Sequence, residues 1–186
     1  MRRNQISTVA RPRLSEPVCE RDHRQGSDRA SLTLLEYGDY ECPYCGEAHP
    51  VVQGLQKAFG RDLRFVFRNF PLTDIHPNAM LAAEAVEAAA LQGKFWPMHD
   101  LALAEQALLE PNIIPVWAAQ VGLDLETFRT DLRRGTAARR VKEDLESGLR
   151  SGVDGTPAFF IDGQRYIGVP SYEALREALR GTTPSR

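Results

Sequence analysis

Cysteine is scarce: only Cys19, Cys42 and Cys45 occur in 186 residues. Three thiols are too few, and odd in number, for the disulfide framework of a small secreted domain. No apolar run approaches the roughly 20 residues that cross a bilayer, so no membrane association is expected. A net charge of −2 leaves no basic excess, and nucleic acid is not an expected partner. The arginine-rich start lacks the apolar core of a secretory signal. A cytoplasmic location is therefore expected for the sequence as written, or a periplasmic one if the start is mis-assigned or processed. Nor is there a repeat with a period of roughly 20–50 residues, which excludes solenoids and propellers.

What is there suits one globular domain. Residues 1–30 are polar and read as a mobile N-terminal tail or an extended arm, with the domain expected over 31–181. "SLTLLEYGDY" gives a strand through Leu32 and Leu34 that stops at Gly38. "CPYCGEAHPVVQGLQKAFG" opens a helix with Val51, Leu55 and Phe59 at four-residue spacing, closed by Gly60. "LRFVFRNFP" alternates as a second strand, and the crossover implies that it runs parallel to the first.

Residues from about 76 to 151 read as a helical block, beginning with the alanine-rich "PNAMLAAEAVEAAALQ". Leu125, Phe128 and Leu132 share one helical face there, and Val141, Leu145 and Leu149 another. Trp96, Met98 and Trp117 are expected to pack this block. "PAFFID", a turn at Asp162-Gly163 and "QRYIGV" form a hairpin that places Phe159 and Phe160 in the central sheet. Ser171 can cap a last helix carrying Tyr172, Leu175 and Leu179 on one face. The expected class is α/β, a β-α-β … β-β-α order with an α-helical insertion.

The chemistry concentrates in "GDYECPYCGEAHP". With Cys42 at the helix N-cap, Pro43 falls at N1, where its fixed φ fits and its missing N–H costs nothing. Cys45 becomes N3, so its N–H can point at the Cys42 sulfur. The helix dipole adds partial positive charge at the same end. Both effects lower the pKa of Cys42, leaving Cys45 one turn away to resolve a mixed disulfide. A metal-binding or redox-sensing CxxC module is the alternative. It needs further ligands, and Cys19, His23, His49, His76 and His99 are scattered without paired spacing. Of these His49 lies nearest and reads more simply as a surface or packing histidine. Cys19 reads as an inert exposed thiol.

CPYC after the first strand and "GTPAFFIDG" after the helical block together resemble the thioredoxin-fold superfamily. The chain looks most like the DsbA-like thiol:disulfide oxidoreductases and their soluble bacterial relatives, over about residues 22–181. The resemblance implies a thioredoxin-like fold in which Pro157 is a cis-proline. Pro43, Tyr44, Thr156 and Pro157 would then contact substrate. It further implies that Glu36, six residues before Cys42, is a partly buried carboxylate that takes the Cys45 proton. Pro50 matches the proline that kinks the active-site helix. Asp39 and Glu41 are expected to face solvent.

No metal or organic cofactor is expected, because the electrons reside in a redox-active Cys42–Cys45 disulfide. The implied partners are protein or peptide thiols and disulfides, with a thioredoxin- or glutathione-type redox system. Tyr44 cannot supply the cationic charge of the histidine in strongly oxidising relatives, so the direction of electron flow stays open. A glutathione-linked enzyme of the glutaredoxin or kappa-transferase kind is the second reading.

Overall fold

The computed structural model describes residues 12–182. Its five strands are β1 (His23–Gly26), β2 (Leu32–Gly38), β3 (Leu63–Asn69), β4 (Ala158–Ile161) and β5 (Gln164–Arg165). They form one sheet in the order β1-β3-β2-β4-β5. β2 and β3 are parallel, as their crossover requires, and every other pairing is antiparallel. The crossover is α1 (Pro43–Phe59), which ends at Gly60 with φ 54° and passes through a short 3₁₀ turn. Five helices then intervene: α2 (Ala79–Ala90), α3 (Phe95–Ala104), α4 (Ile114–Gln120), α5 (Leu125–Arg133) and α6 (Thr136–Arg150). The hairpin β4-β5 and α7 (Tyr172–Thr182) complete the fold.

Side chains alternate across β2, and this sorts the molecule into two layers. Leu32 and Leu34 point with Phe65, Phe67, Phe159 and Ile161 into the larger core, beneath α1, α3 and α7. Leu35 and Tyr37 point the other way, with Val66, Phe70 and Phe160, toward α6. By the same period Glu36 follows Leu34 onto the α1 side, and Tyr37 reaches Ser147 of α6 at 2.8 Å. A Cβ at Gly148 would stand 2.5 Å from the Phe70 ring, so only glycine lets α6 approach this closely.

The parallel pair, the helical block and the hairpin agree with the sequence reading. Asp162 and Gly163, at φ 47° and 79°, form the primed turn that a two-residue hairpin favours. Ser171 Oγ accepts the Ala174 N–H at 3.3 Å and caps α7.

Three features differ. The segment expected as a tail or arm contributes β1 on the edge of β3, so ordered structure precedes residue 31. Within that segment Asp22 forms a bidentate pair with the fully buried Arg68, at 2.8 and 2.9 Å. Arg68 also donates to the carbonyls of Glu16 and Pro17, so an ion pair rather than an apolar stripe ties the chain down. The part of that expectation covering residues 1–11 lies outside the described residues. β5 is only Gln164–Arg165, shorter than "QRYIGV" suggested. Leu149 is exposed, because eight residues at about 100° each carry it some 80° off the Val141 line.

Candidate active site

β2 ends at Gly38, and the chain turns through Asp39, Tyr40 and Glu41 into α1. Cys42 is the extended N-cap, at φ −72° and ψ 118°, with Pro43 at the first helical position. One detail departs from expectation. The Cys45 N–H donates to the Cys42 carbonyl at 3.0 Å, and the Cys42 sulfur makes no capping hydrogen bond. A tight first turn draws that amide to oxygen in place of sulfur.

The loop before β4 closes the other side. Its Thr156-Pro157 peptide bond is cis, and the Cys42 thiol donates to the Thr156 carbonyl at 3.3 Å. The Thr156 hydroxyl is buried with no hydrogen-bond partner. Cys42, Cys45, Thr156 and Pro157 are therefore brought together, as the sequence reading had them.

The two thiols are electrostatically unlike. Hydrogen bonding from the Cys45 thiol is the main influence that lowers Cys42, to about 5, against the opposing effect of burial. The Thr156 side chain and the amides of Cys45 and Tyr44 add smaller effects in the same direction through their proximity, none of them making a full hydrogen bond to the sulfur. Cys45 is pushed well above its ordinary range, first by burial and then by its hydrogen bond to Cys42, with the negative charges of Glu36 and Cys42 adding to both. Its sulfur accepts the Asp39 N–H at 3.4 Å.

Glu36, expected to be partly buried, is almost wholly so, and its Oε1 has no hydrogen-bond partner. Burial, with a smaller contribution from Cys42, raises its pKa to about 8. A carboxyl group that stays protonated at neutral pH thus sits under the dithiol.

Sequence reasoning missed the residues that fix the turn. Asp39 does not face solvent; it is buried, and its carboxylate accepts from the Glu41 and Leu72 N–H groups at 2.8 and 2.9 Å. His76 Nδ1 lies 2.8 Å from the same carboxylate. Glu41 is half-buried and accepts the Asn78 N–H at the entry to α2. Gln106, from the insertion, donates to the carbonyls of Tyr40 at 2.7 Å and Cys42 at 2.8 Å. Apart from the Glu41 N–H two residues on, these partners are 33 or more positions distant in sequence, and no local spacing announces them.

Tyr44 is 67% exposed and stands at one end of an apolar groove with Val51, Thr156, Pro157, Val169 and Pro170. Pro43 is exposed at the helix start. Cys19 is an exposed free thiol on the N-terminal segment. His49 packs instead against His99.

A family model described as thioredoxin matches residues 19–180. The chain belongs to the thioredoxin family. Within it, the architecture is that of the DsbA-like proteins. The solved structure of BdbD from Bacillus subtilis superposes with a TM-score of 0.81 at 23% identity, covering 92% of this chain and 96% of that one. A thioredoxin-like oxidoreductase from Silicibacter pomeroyi gives 0.75 at 26% identity, covering 86% and 91%. In sequence, this thioredoxin-family chain is 48% identical over 160 residues to a Na(+)/H(+) antiporter, NhaA 1, from Salinispora arenicola. That match covers 86% of this chain and 24% of the relative, so the chain spans about a quarter of the antiporter's length. Among the described residues no helix is long and apolar enough to cross a membrane.

Proposed function

We propose that the chain is a thiol:disulfide oxidoreductase that exchanges electrons with protein or peptide substrates through Cys42 and Cys45. The observation that carries this reading is the opposed titration of two thiols on one helical turn, Cys42 drawn down to about 5 and Cys45 pushed up. In the reducing direction the Cys42 thiolate attacks one sulfur of a substrate disulfide. That S–S bond breaks, the distal substrate sulfur leaves as a thiolate, and a mixed disulfide forms. The minor fraction of Glu36 that is ionised near neutrality takes the Cys45 proton, and Cys45 attacks the Cys42 sulfur. The Cys42–Cys45 disulfide closes and the second substrate thiolate leaves. Two electrons pass from the cysteine pair to the substrate, and the reverse sequence oxidises a substrate dithiol.

A group with a pKa of about 8 can both take and return a proton near neutrality, which suits Glu36 to the relay. Pro43, Tyr44 and the Thr156-Pro157 loop border the exposed side of the pair, and the groove behind Tyr44 suits an apolar stretch of extended chain. The electrons are held by the cysteines, so the exchange needs no other cofactor, only a thioredoxin- or glutathione-type partner to reset the pair.

The test is reduction of insulin together with oxidation of a reduced peptide. Both are expected of the intact chain, and neither of Cys42→Ser. Cys45→Ser should accumulate mixed disulfides. An intact protein that does neither ends this reading, and glutathione-dependent turnover surviving Cys45→Ser would move it to the glutathione-linked class.

The antiporter relatives favour a second, compatible reading, in which the chain works beside a membrane sodium/proton antiporter. Trapping with Cys45→Ser in cells tests it: recovery of an antiporter polypeptide supports the pairing, and its absence among trapped partners rejects it.

A further inference from the structure

Behind the redox pair, α1 and α3 bring together side chains that the exchange chemistry does not use. His49 comes from α1, while His99 and Asp100 come from α3. One ligand atom from each lies within 4.8 Å of the other two. We propose that His49, His99 and Asp100 form a binding site for a first-row divalent cation of the zinc class, clasping α1 to α3. His49 lies one helical turn after Cys45 on α1, but the site uses neither thiol and does not depend on the proposed exchange activity.

The donor set is the first argument. Two imidazoles and one carboxylate are borderline and hard donors of the kind that zinc and its neighbours accept, with a solvent oxygen completing four-coordination. Zinc bonds of about 2.0–2.2 Å place two donors on a tetrahedral ion roughly 3.3 Å apart. His49 Nε2 and Asp100 Oδ1 are already 3.5 Å apart, so this edge of the polyhedron needs almost no adjustment. The third donor has only to close from within 4.8 Å.

Support from the surrounding residues is the second. A coordinating histidine usually gives its other ring nitrogen to a fixed partner, which sets the tautomer and the ring plane. His99 has that contact, its Nδ1 lying 2.9 Å from the Tyr40 hydroxyl in a fully buried setting. The His49 ring meets the His99 ring edge-on at 5.5 Å, which keeps both in one small volume.

Access and protonation make the third. Asp100 is half exposed and gives an ion a way in. Gln53, one turn further along α1 and exposed, has its amide nitrogen 3.0 Å from His49 Nε2 and can swing into solvent. Burial lowers the pKa of His49, opposed by Asp100, and lowers that of His99 well below its ordinary value.

The test must keep thiolates out, because Cys42 and Cys45 could bind zinc themselves. The full chain with Cys19→Ser, Cys42→Ser and Cys45→Ser, titrated with zinc by calorimetry, is expected to take up one ion per chain in the micromolar range or tighter. Zinc should also raise its unfolding temperature by mass action. Loss of a supporting contact in metal sites costs about 10–100-fold in affinity, so losing a ligand should cost at least about tenfold. Asp100→Asn, at a half-exposed position, and His49→Gln in the same cysteine-free chain should each show that loss. Cobalt uptake read from its d–d absorption gives an independent signal, which the same substitutions should abolish. Absence of micromolar binding, or affinity unchanged by both substitutions, overturns the proposal.

Discussion

The Asp39 N–H donates to the Cys45 sulfur at 3.4 Å while the Asp39 carboxylate is clamped by Glu41, Leu72 and His76. A side chain with no redox chemistry thus aims an amide at the resolving thiol. Asp39→Ala would strand two N–H groups and one imidazole, and should cost about 3 kcal/mol or more. It should also slow the resolving step. Denaturant unfolding reads the first effect. Mixed disulfide accumulating in quenched turnover reads the second, and turnover that stays normal would remove Asp39 from the positioning of Cys45.

Glu36 makes the reduced protein less stable as pH rises. Its folded pKa is about 8 against an ordinary 4.5. Between those values the unfolded chain has lost a proton that the folded chain keeps, so stability falls with rising pH across the window. The deficit should approach on the order of 5 kcal/mol above the upper value. Glu36→Gln should therefore be more stable than the parent at pH 8 and nearly equal at pH 4, while exchanging more slowly. Unfolding curves at the two pH values check the first expectation, and stopped-flow exchange checks the second.

For Cys42 the sign is opposite. Its folded pKa of about 5 lies below the ordinary 9.0, so the stabilisation it gives the reduced form is full above 9 and is lost as pH falls toward 5. The disulfide form has no such thiolate. At neutral pH the reduced form is favoured, and the potential should lie above the roughly −270 mV of thioredoxin. Ultraviolet absorbance of the thiolate should titrate near 5, and a glutathione redox equilibrium should give the potential. Cys45→Ala removes the thiol whose hydrogen bond favours the thiolate and should shift the absorbance titration back up.

Gln106→Ala removes two hydrogen bonds to the carbonyls of Tyr40 and Cys42. The expected loss is roughly 1–3 kcal/mol, with faster hydrogen exchange in the turn before α1. Unchanged exchange in that turn would show that the insertion does not hold it.

The dithiol was legible because its signal is local. N-cap, N1 and N3 are fixed by counting along one helix, and the alternation of "LTLLEYG" gives Glu36 its face from the strand period alone. The primed turn at Asp162-Gly163 was legible for the same reason. β1 was not, since "HRQG" has no apolar alternation and becomes a strand only by pairing with β3. Asp39, His76 and Gln106 escaped because their partners are main-chain or polar atoms on other elements, which leave no period in the sequence. Asp39 in particular looks like a polar turn residue until the loop after β3 folds over it.

The burial of Cys45 has a consequence of its own. With the resolving sulfur at 0% exposure and Cys42 at 3%, Cys45 is closed to a freely diffusing oxidant and only an edge of Cys42 is open to one. Peroxide or hypochlorite, unable to press a strand against the Thr156-Pro157 loop, should meet a site that is slow to be damaged. An encounter that does succeed would strike Cys42 first, and Cys45 one turn away could convert the sulfenic acid to a disulfide before it is oxidised further. The geometry that selects partners thereby also shields the dithiol from corrosion.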